Sequence, residues 1–590
     1  MYKQKIEEFL LKVEKPVQYL GNEINVVIKE NFDFHQCLIF PDLYEIGMSG
    51  LTVPLLYEIL NEQEGIYMER AFMPKEDMGK LLRENGVPLF SLETWTPLAK
   101  FDTLSFSLGY EACFSNVLEI LDLAQIPVKS KERSEDFPLI SAGGSCTYNP
   151  APMSQFIDFF YLGEGEEVIV EVAQVFKSLR GRSKLEKLQT LSKISGVYVP
   201  SIHINMPFSS LKRRVVNDIN LFSFPKKPLV SYLKLVHDRL ISEIQRGCTR
   251  GCRFCQAGII TRPVRERSLE KNMCFVKEAI ANTGYDEISL SSLSSSDYSA
   301  IRPFIQNLNK TYPDLNISLP SLRIDNFSLQ LASDTEGLRK SSFTFAPEAG
   351  SQRMRDVINK GITQEDIVET AVQAFKEGWR NLKFYFMVGL PFETLEDIEA
   401  IYKLACKVLG EGRKIRRDIQ ITISVSNFVP KPHTPFQWVG QMSFEEMEIK
   451  HNLLKNLFSR TKALNLKIHD KRTSYIEGVF SRGDERIGDL IYTAWKRGAK
   501  MDGWREFFKI QYYREAAEEL GIDLDSYLKP RDMNEVMPWE FITTGVSREY
   551  FISELKKSEE LVLTQDCRNG CTGCGMCSGE IKMQLCEEIY

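Results

Sequence analysis

The sequence predicts an α/β protein built in parts, and three observations predict it. Between about residues 36 and 170, short apolar strands alternate with helical periods, the pattern of a doubly wound parallel sheet of Rossmann or flavodoxin type. Between 240 and 430, six more strand candidates recur with helices between them, which predicts a curled parallel sheet, a partial (βα)6 barrel. Past Trp438 the periodicity turns helical and gives way to a cysteine-rich tail. The expected parts are a doubly wound domain over 1–178, a connector over 179–235, the partial barrel over 236–440, a helical region over 441–560 and the tail over 561–590.

A chain of 590 residues is too long for one core. With 43% hydrophobic and 26% charged residues its composition is globular. A net charge of −6 gives no support for an extended nucleic-acid surface and leaves only local patches. No run of 18 apolar residues suggests a membrane span, and the opening MYKQKIEEFLLKVEK lacks the apolar core of a signal peptide. Thirteen cysteines in such a chain point to metal rather than disulfides, and to the cytoplasm. Seven fall in two tight clusters, while Cys37, Cys113, Cys146, Cys274, Cys406 and Cys586 read as small buried hydrophobes.

In the first part QCLIFP, TLSFSLGY, LISAGG and FFYLGEG read as strands, with GLTVPLLYEILNEQ and CFSNVLEILDLAQ as helices between them. Doubly wound sheets take ligands beyond the carboxyl ends of their strands. Polar residues and glycines fall there, at 42–49, 105–109, Gly143 with Gly144, and 163–167. The connector holds one strand-like piece, SGVYVPSIHI, and a proline/lysine segment.

The barrel strands are LISEIQRG, EISLSSL, NISLPSL, SSFTFAPE, NLKFYFMVGLP and QITISVSNFVP. After the first comes RGCTRGCRFCQAG, residues 246–258, with Cys248, Cys252 and Cys255 in CxxxCxxC spacing. Thiolates are soft ligands that select zinc, copper or iron–sulfur clusters. Gly247, Gly251 and Gly258 let the backbone wrap the sulfurs. A structural zinc closes its tetrahedron with four protein ligands; three cysteines leave one position open. On spacing alone, a zinc knuckle with a distant fourth ligand and a cluster with an open iron both stand.

In the helical region, the stretch from Lys455 to Lys500 carries eleven Lys and Arg against five Asp and Glu, with Tyr475, Phe480, Tyr492 and Trp495 interleaved. Such a pattern can track a nucleic-acid backbone and stack bases; the plainer reading is a solvated helical face over core aromatics. The tail motif DCRNGCTGCGMC offers Cys567, Cys571, Cys574 and Cys577 as four ligands. Crowded spacing suits an iron–sulfur cluster, whereas zinc ribbons separate two CxxC pairs by a longer loop. A second cluster is the expectation, with zinc as the alternative and electron relay, sulfur supply or structural clamp as roles.

The central loop resembles the cluster loop of the radical S-adenosylmethionine (SAM) superfamily. The resemblance implies that Cys248, Cys252 and Cys255 hold a [4Fe–4S] cluster. SAM chelates the open iron and is cleaved to methionine and a 5′-deoxyadenosyl radical, with Phe254 near the adenine. The strand ends extend the resemblance: DEISLSSLSSSD with Ser295 and Asp297, PSLRID with Arg323, PEAGSQRMR with Glu348 and Arg353 followed by NKG, and MVGLPFET with Gly389. Ala349 stands where the family's ESGSQR has serine. These residues are the implied SAM contacts.

The strand ends of the first part resemble a cobalamin-binding domain, whose pattern is DxHxxG, a serine-rich strand end and GG. Here they are Asp42, Tyr44 and Gly47, then Ser107, then Gly143 and Gly144, with Tyr44 in place of the histidine. Either cobalamin binds without a protein histidine, or the fold is kept without the cofactor. The whole is most similar to an incompletely characterised family of cobalamin-domain radical SAM proteins. The resemblance implies an oxygen-sensitive enzyme and an external flavodoxin- or ferredoxin-type electron donor; a further domain fused behind this architecture in some relatives is expected to be absent here or a separately encoded partner. With cobalamin the expected outcome is methylation of an unactivated carbon; without it, sulfur insertion of methylthiotransferase type or a rearrangement. A non-catalytic Fe–S redox module is the contrasting reading, and RNA or a ribonucleoprotein component is the expected substrate.

Overall fold

In the computed structural model, residues 2–222, 225–319 and 343–576 are described. The first part is built on six strands: β1 (Phe34–Phe40), β2 (Ile66–Phe72), β3 (Thr103–Ser107), β4 (Leu139–Gly143), β5 (Phe159–Tyr161) and β6 (Val197–Tyr198). They lie in the order β2-β1-β3-β4-β5-β6, parallel except for β6. Every residue of β2 is buried, as expected of a strand covered on both faces. Its charges are therefore paired: Arg70 meets Glu23 at 2.8 Å and Glu93 at 2.6 Å, and Glu69 meets His35 at 2.9 Å. The strand order reverses between β1 and β3, which sets the crevice of such a sheet at their carboxyl ends.

The six expected barrel strands form as two parallel sheets. One holds β7 (Leu240–Glu243), β8 (Glu287–Ser291) and β9 (Asn316–Ser318), with β8 central. The other runs β10 (Phe343–Glu348), β11 (Asn381–Val388), β12 (Gln420–Asn427) and then β13 (Leu464–Ile468). The last strand lies in a stretch read from sequence as helical. The helix Phe444–Phe458 stops sooner than its apolar pattern suggested, and Leu-Asn-Leu-Lys-Ile then alternates with period two and pairs parallel with β12. Phe345, Phe384, Phe386, Ile423 and Val425 bury one face of this sheet against the helices Gln364–Lys376, Leu395–Arg413 and Phe444–Phe458.

The helices Lys471–Ser481, Arg486–Lys496 and Ile510–Leu520 share a core with the first domain. Tyr475, Phe480, Ile487, Ile491, Trp495 and Tyr513 belong to the same buried cluster as Phe114, Val117 and Leu121. This corrects the expected stacking surface. Phe480 stacks on Phe114 with centroids 5.8 Å apart, the Trp495 indole donates to Glu119 at 3.0 Å, and Tyr492 packs at the core's edge. Four of the eleven bases are also paired locally: Lys471 with Glu448, Arg472 with Asp470, Arg497 with Glu515 and Glu519, and Lys500 with Glu119. The aromatic half of the RNA-binding pattern is therefore core rather than surface.

The connector is pinned at two points along its length. Its Val197–Tyr198 completes the first sheet, and Leu211–Lys212 pairs with Ile542–Thr543. All described cysteines are free; Cys37, Cys113 and Cys146 are buried as expected, Cys406 is partly exposed, and Cys274 is exposed on the outer side of its helix. Cys586 lies outside the described residues. No helix among the described residues is long and apolar enough to cross a membrane.

Candidate active site

The cysteine loop leaves the carboxyl end of β7. Its base is closed by Gln245–Arg246, paired antiparallel with Arg265–Glu266. Gly247 turns there with φ +87°, and a Cβ on it would meet the Pro263 carbonyl at 2.8 Å, so the turn requires glycine. The Cys255 sulfur accepts the Gly258 N–H at 3.3 Å. Burial pushes the Cys248 thiol up to about 12 and the Cys255 thiol up to about 11, and the charge of Cys252 adds to both. Ligation must therefore displace protons. Among the described residues no three His, Cys, Asp or Glu side chains converge as the ligands of one metal ion would. The donor set is three soft sulfurs, which suits a cluster with one open iron. Phe254 joins an apolar layer with Ile259, Trp438 and Phe551.

Residues between the cysteines tie the loop down. Arg253 is wholly buried; it donates to Glu554 at 3.1 Å and to the carbonyls of Asp356, Val357 and Val562. The Asn359 amide donates to the carbonyls of Gly251 and Thr564, both at 3.1 Å, and its oxygen accepts the Thr564 N–H. Arg250 bridges Asp297 at 2.7 Å and Asp566 at 2.8 Å. Arg568 joins the same two carboxylates, at 2.8 and 3.1 Å. The tail thus docks directly on the central loop. Cys567 is partly exposed, Cys571 exposed and Cys574 buried, and the last accepts the Ser547 N–H through its carbonyl. Cys577 lies outside the described residues.

The expected SAM contacts separate into two groups. Glu348, at the end of β10, is held with φ +66°, pairs with Lys360 at 3.4 Å and lies within electrostatic reach of Cys255. Burial raises its carboxyl above the usual range. Asp297 lies beside Cys248 but is committed to the two arginines. Ser295 is fully buried and donates to the Leu290 carbonyl. Arg353 is bound to Asp397 and the Phe392 carbonyl. Gly389 turns with φ +85°, its N–H on Glu393 at 2.7 Å, where a Cβ would strike Met442. Arg323 lies outside the described residues.

Two residues missed from sequence stand out. Gln245, 2% exposed, has neither amide atom bonded, and the buried Ser296 hydroxyl is likewise without a partner among the described residues. Buried polar atoms of this kind mark places where a ligand completes the bonding. A glutamine at the end of a strand, three residues before the first cysteine, gives no such signal in sequence.

Comparison with known proteins decides the family. Residues 242–405 match the family described as the radical SAM superfamily, and residues 52–200 match the one described as radical SAM proteins, N-terminal. The chain belongs to the radical SAM superfamily. It is a radical SAM enzyme of α/β fold. It is 28% identical over 455 residues to an uncharacterised protein of Methanocaldococcus jannaschii, a match covering 77% of this chain and 90% of that one. It is 23% identical over 309 residues to an uncharacterised methyltransferase of Pyrococcus horikoshii, covering 51% and 64%. Among solved structures, the cobalamin-dependent SAM radical enzyme OxsB aligns over 89% of this chain and 79% of its own, at 13% identity and a TM-score of 0.49.

In this radical SAM chain the crevice of the first sheet is filled by the chain itself. Asp42 accepts the Trp504 indole N–H at 2.9 Å and the Tyr110 hydroxyl. Asn116 accepts the Met501 N–H at 2.6 Å, Ser115 donates to Asp502, and Asn149 donates to the carbonyls of Ser481 and Gly483. Lys431 lies between Glu111 at 2.7 Å and Glu477 at 2.8 Å. Tyr44 is turned into the protein, 3.0 Å from both Glu23 and Ser231. Gly47 and Gly144 allow close packing: a Cβ would meet the Phe72 ring at 2.4 Å or the Leu108 carbonyl at 2.5 Å. Ser107 pairs in register with Gly143 at the rim. Beside the plug lies a cavity of about 500 Å³ lined by Leu43, Met73, Met501, Trp504 and Phe507. Drug-sized ligands occupy about 300–1,000 Å³, and cobalamin is larger than these. The residues present do not fit cobalamin in this crevice.

Proposed function

We propose that the chain abstracts hydrogen from an unreactive carbon of its substrate, with Cys248, Cys252 and Cys255 as ligands of a [4Fe–4S] cluster and no cobalamin in the first domain. When bound, the cluster supplies the electron that splits SAM into methionine and a 5′-deoxyadenosyl radical. One observation carries the reading: three partly buried thiols just past the carboxyl end of the first barrel strand, with Cys255 beside the Glu348–Lys360 pair. Gly247 shapes the loop, and Arg253 and Asn359 hold it. Glu348, Lys360, Gln245 and Ser296 offer polar groups to SAM, and Phe254 an apolar surface to its adenine. Docking of the tail keeps water from the Cys248 side. Cys567, Cys571 and Cys574, with Cys577, are proposed to hold a second cluster, and an external flavodoxin- or ferredoxin-type protein to deliver electrons.

Methyl transfer is a second reading, favoured by the name of the Pyrococcus horikoshii relative. It would draw its methyl group from SAM without cobalamin in the crevice. The test is anaerobic reconstitution, with iron, zinc and 5′-deoxyadenosine measured. Changing the three central cysteines to alanine should abolish SAM cleavage and leave iron only in the tail. Wild-type protein that holds a full cluster yet makes no 5′-deoxyadenosine would overturn the assignment. Zinc in the alanine variant would make the tail a zinc site.

A further inference from the structure

The four-stranded sheet buries one face and leaves the other polar. On β11 the side chains opposite the core are Lys383, Tyr385 and Met387; on β12 they are Thr422, Ser424 and Ser426; on β13 they are Asn465 and Lys467. The register aligns them into rows. Lys383, Thr422 and Asn465 form one row, and Tyr385, Ser424 and Lys467 the next. Lys383 and Lys467 lie two strands and one row apart, about 12 Å between their backbones, a span that two long lysine side chains can close on one molecule.

The charge on this face is unbalanced. Lys383 donates to the Tyr385 hydroxyl at 2.7 Å and sits 4.5 Å from that ring's centre. Neither Lys383 nor Lys467 has a carboxylate partner among the described residues. Each neighbouring barrel-strand carboxylate has a cation of its own: Glu348 has Lys360, Glu287 has Arg239, and Glu243 has Arg246. Tyr385 is 40% exposed.

A solvated outer surface would look similar, but this face is turned away from the helices, and in a βα barrel that side is the interior. Closed barrels fill it with branched apolar residues; here it is lined by lysine, tyrosine, hydroxyls and an amide. The cysteine loop sits over the carboxyl end of the same sheet. Cys255 neighbours Glu348 at the end of β10, and the Gln256 amide donates to the Pro432 carbonyl just past β12.

Resting on the radical SAM reading, we propose that this face is the substrate wall and selects an anionic substrate, one bearing a phosphate or carboxylate with hydrogen-bonding groups around it. Lys383 and Lys467 are its charge partners, and Tyr385, Thr422, Ser424 and Asn465 its neutral ones.

The experiment is calorimetric titration of the full chain with pyrophosphate and with citrate at low salt. The wild type should bind one of them, and its preference tells phosphate from carboxylate. Lys383→Met with Lys467→Met should weaken binding by about tenfold or more, and the two arginine replacements should restore most of it. Lys403→Met, on an outer helix where Lys403 pairs with Glu399 at 3.0 Å, should bind like wild type. Binding of neither anion by the wild type, or equal binding by the double methionine variant, overturns the proposal. Either result with wild-type SAM cleavage intact sinks this inference alone; no SAM cleavage sinks the reading beneath it.

Discussion

The backbone N–H of Cys567 donates to the carbonyl of Thr249 at 3.1 Å, so the tail's first cysteine is stitched to the residue after the loop's first cysteine. The Thr249 hydroxyl returns a bond to Asp566 at 3.0 Å. Around this seam Arg250, Asp297, Arg568 and Asp566 alternate in charge, and both carboxylates are nearly buried. Two cysteine motifs more than three hundred positions apart thus form one structural unit.

Cutting that unit should loosen both halves. Arg568→Ala leaves Asp297 and Asp566 to share Arg250 alone, and charge-assisted bonds of this kind are worth about 1.5–3 kcal/mol. Hydrogen exchange over residues 561–576 should speed up by about tenfold or more, and a chelator should strip iron from the central loop faster. Unchanged protection of the tail would show that the charges do not hold it.

The filled crevice gives a direct test of cobalamin. Wild-type protein incubated with hydroxocobalamin and passed through gel filtration should carry no cobalt. Trp504→Ala, which removes the indole donor from the buried Asp42 and leaves a void beside it, should cost about 2 kcal/mol or more at this contact, read as faster exchange over residues 499–508. Cobalt retained one-to-one by the wild type would mean that the plug opens.

A second contact of the plug, Asp502 with Ser115 and Tyr513, should respond to pH. Burial raises the Asp502 carboxyl to about 6, although bonds from Ser115 and Tyr513 pull the other way. An unfolded aspartate titrates near 3.9. The protonated form is therefore favoured by folding, and its stabilisation is complete below about pH 4 and lost as pH rises through about 6. The difference is ~3 kcal/mol at most. Exchange at residues 499–504, corrected for its intrinsic pH dependence, should quicken between pH 5 and 7.5. Asp502→Asn should flatten that response; an identical response in the variant would assign it elsewhere.

Much of the fold was legible because strand–helix alternation and CxxxCxxC spacing are local signals. All six expected barrel strands form, and the cysteines stand where the first one ends. The seventh strand was hidden because Leu464 and Leu466 also fit the helical period before them. Tyr475, Phe480 and Trp495 looked like a binding surface because sequence gives the residue types on a helix but not the body it packs against. Tyr44 signalled a missing histidine; its burial against Glu23 and Ser231 was not legible. Arg353 and Gly389 matched motifs, but their partners Asp397 and Glu393 were not legible, and Gln245 carried no motif at all.

The shared core also sets an order of events during synthesis. Val117 and Leu121 are made long before Ile487, Ile491 and Tyr513, the side chains that cover them. At about 5–20 residues per second the ribosome needs on the order of tens of seconds to deliver those partners. For that interval the first domain waits with its apolar flank bare, as a client for whatever chaperone attends the nascent chain. A fragment ending before the last helices would remain in that waiting state.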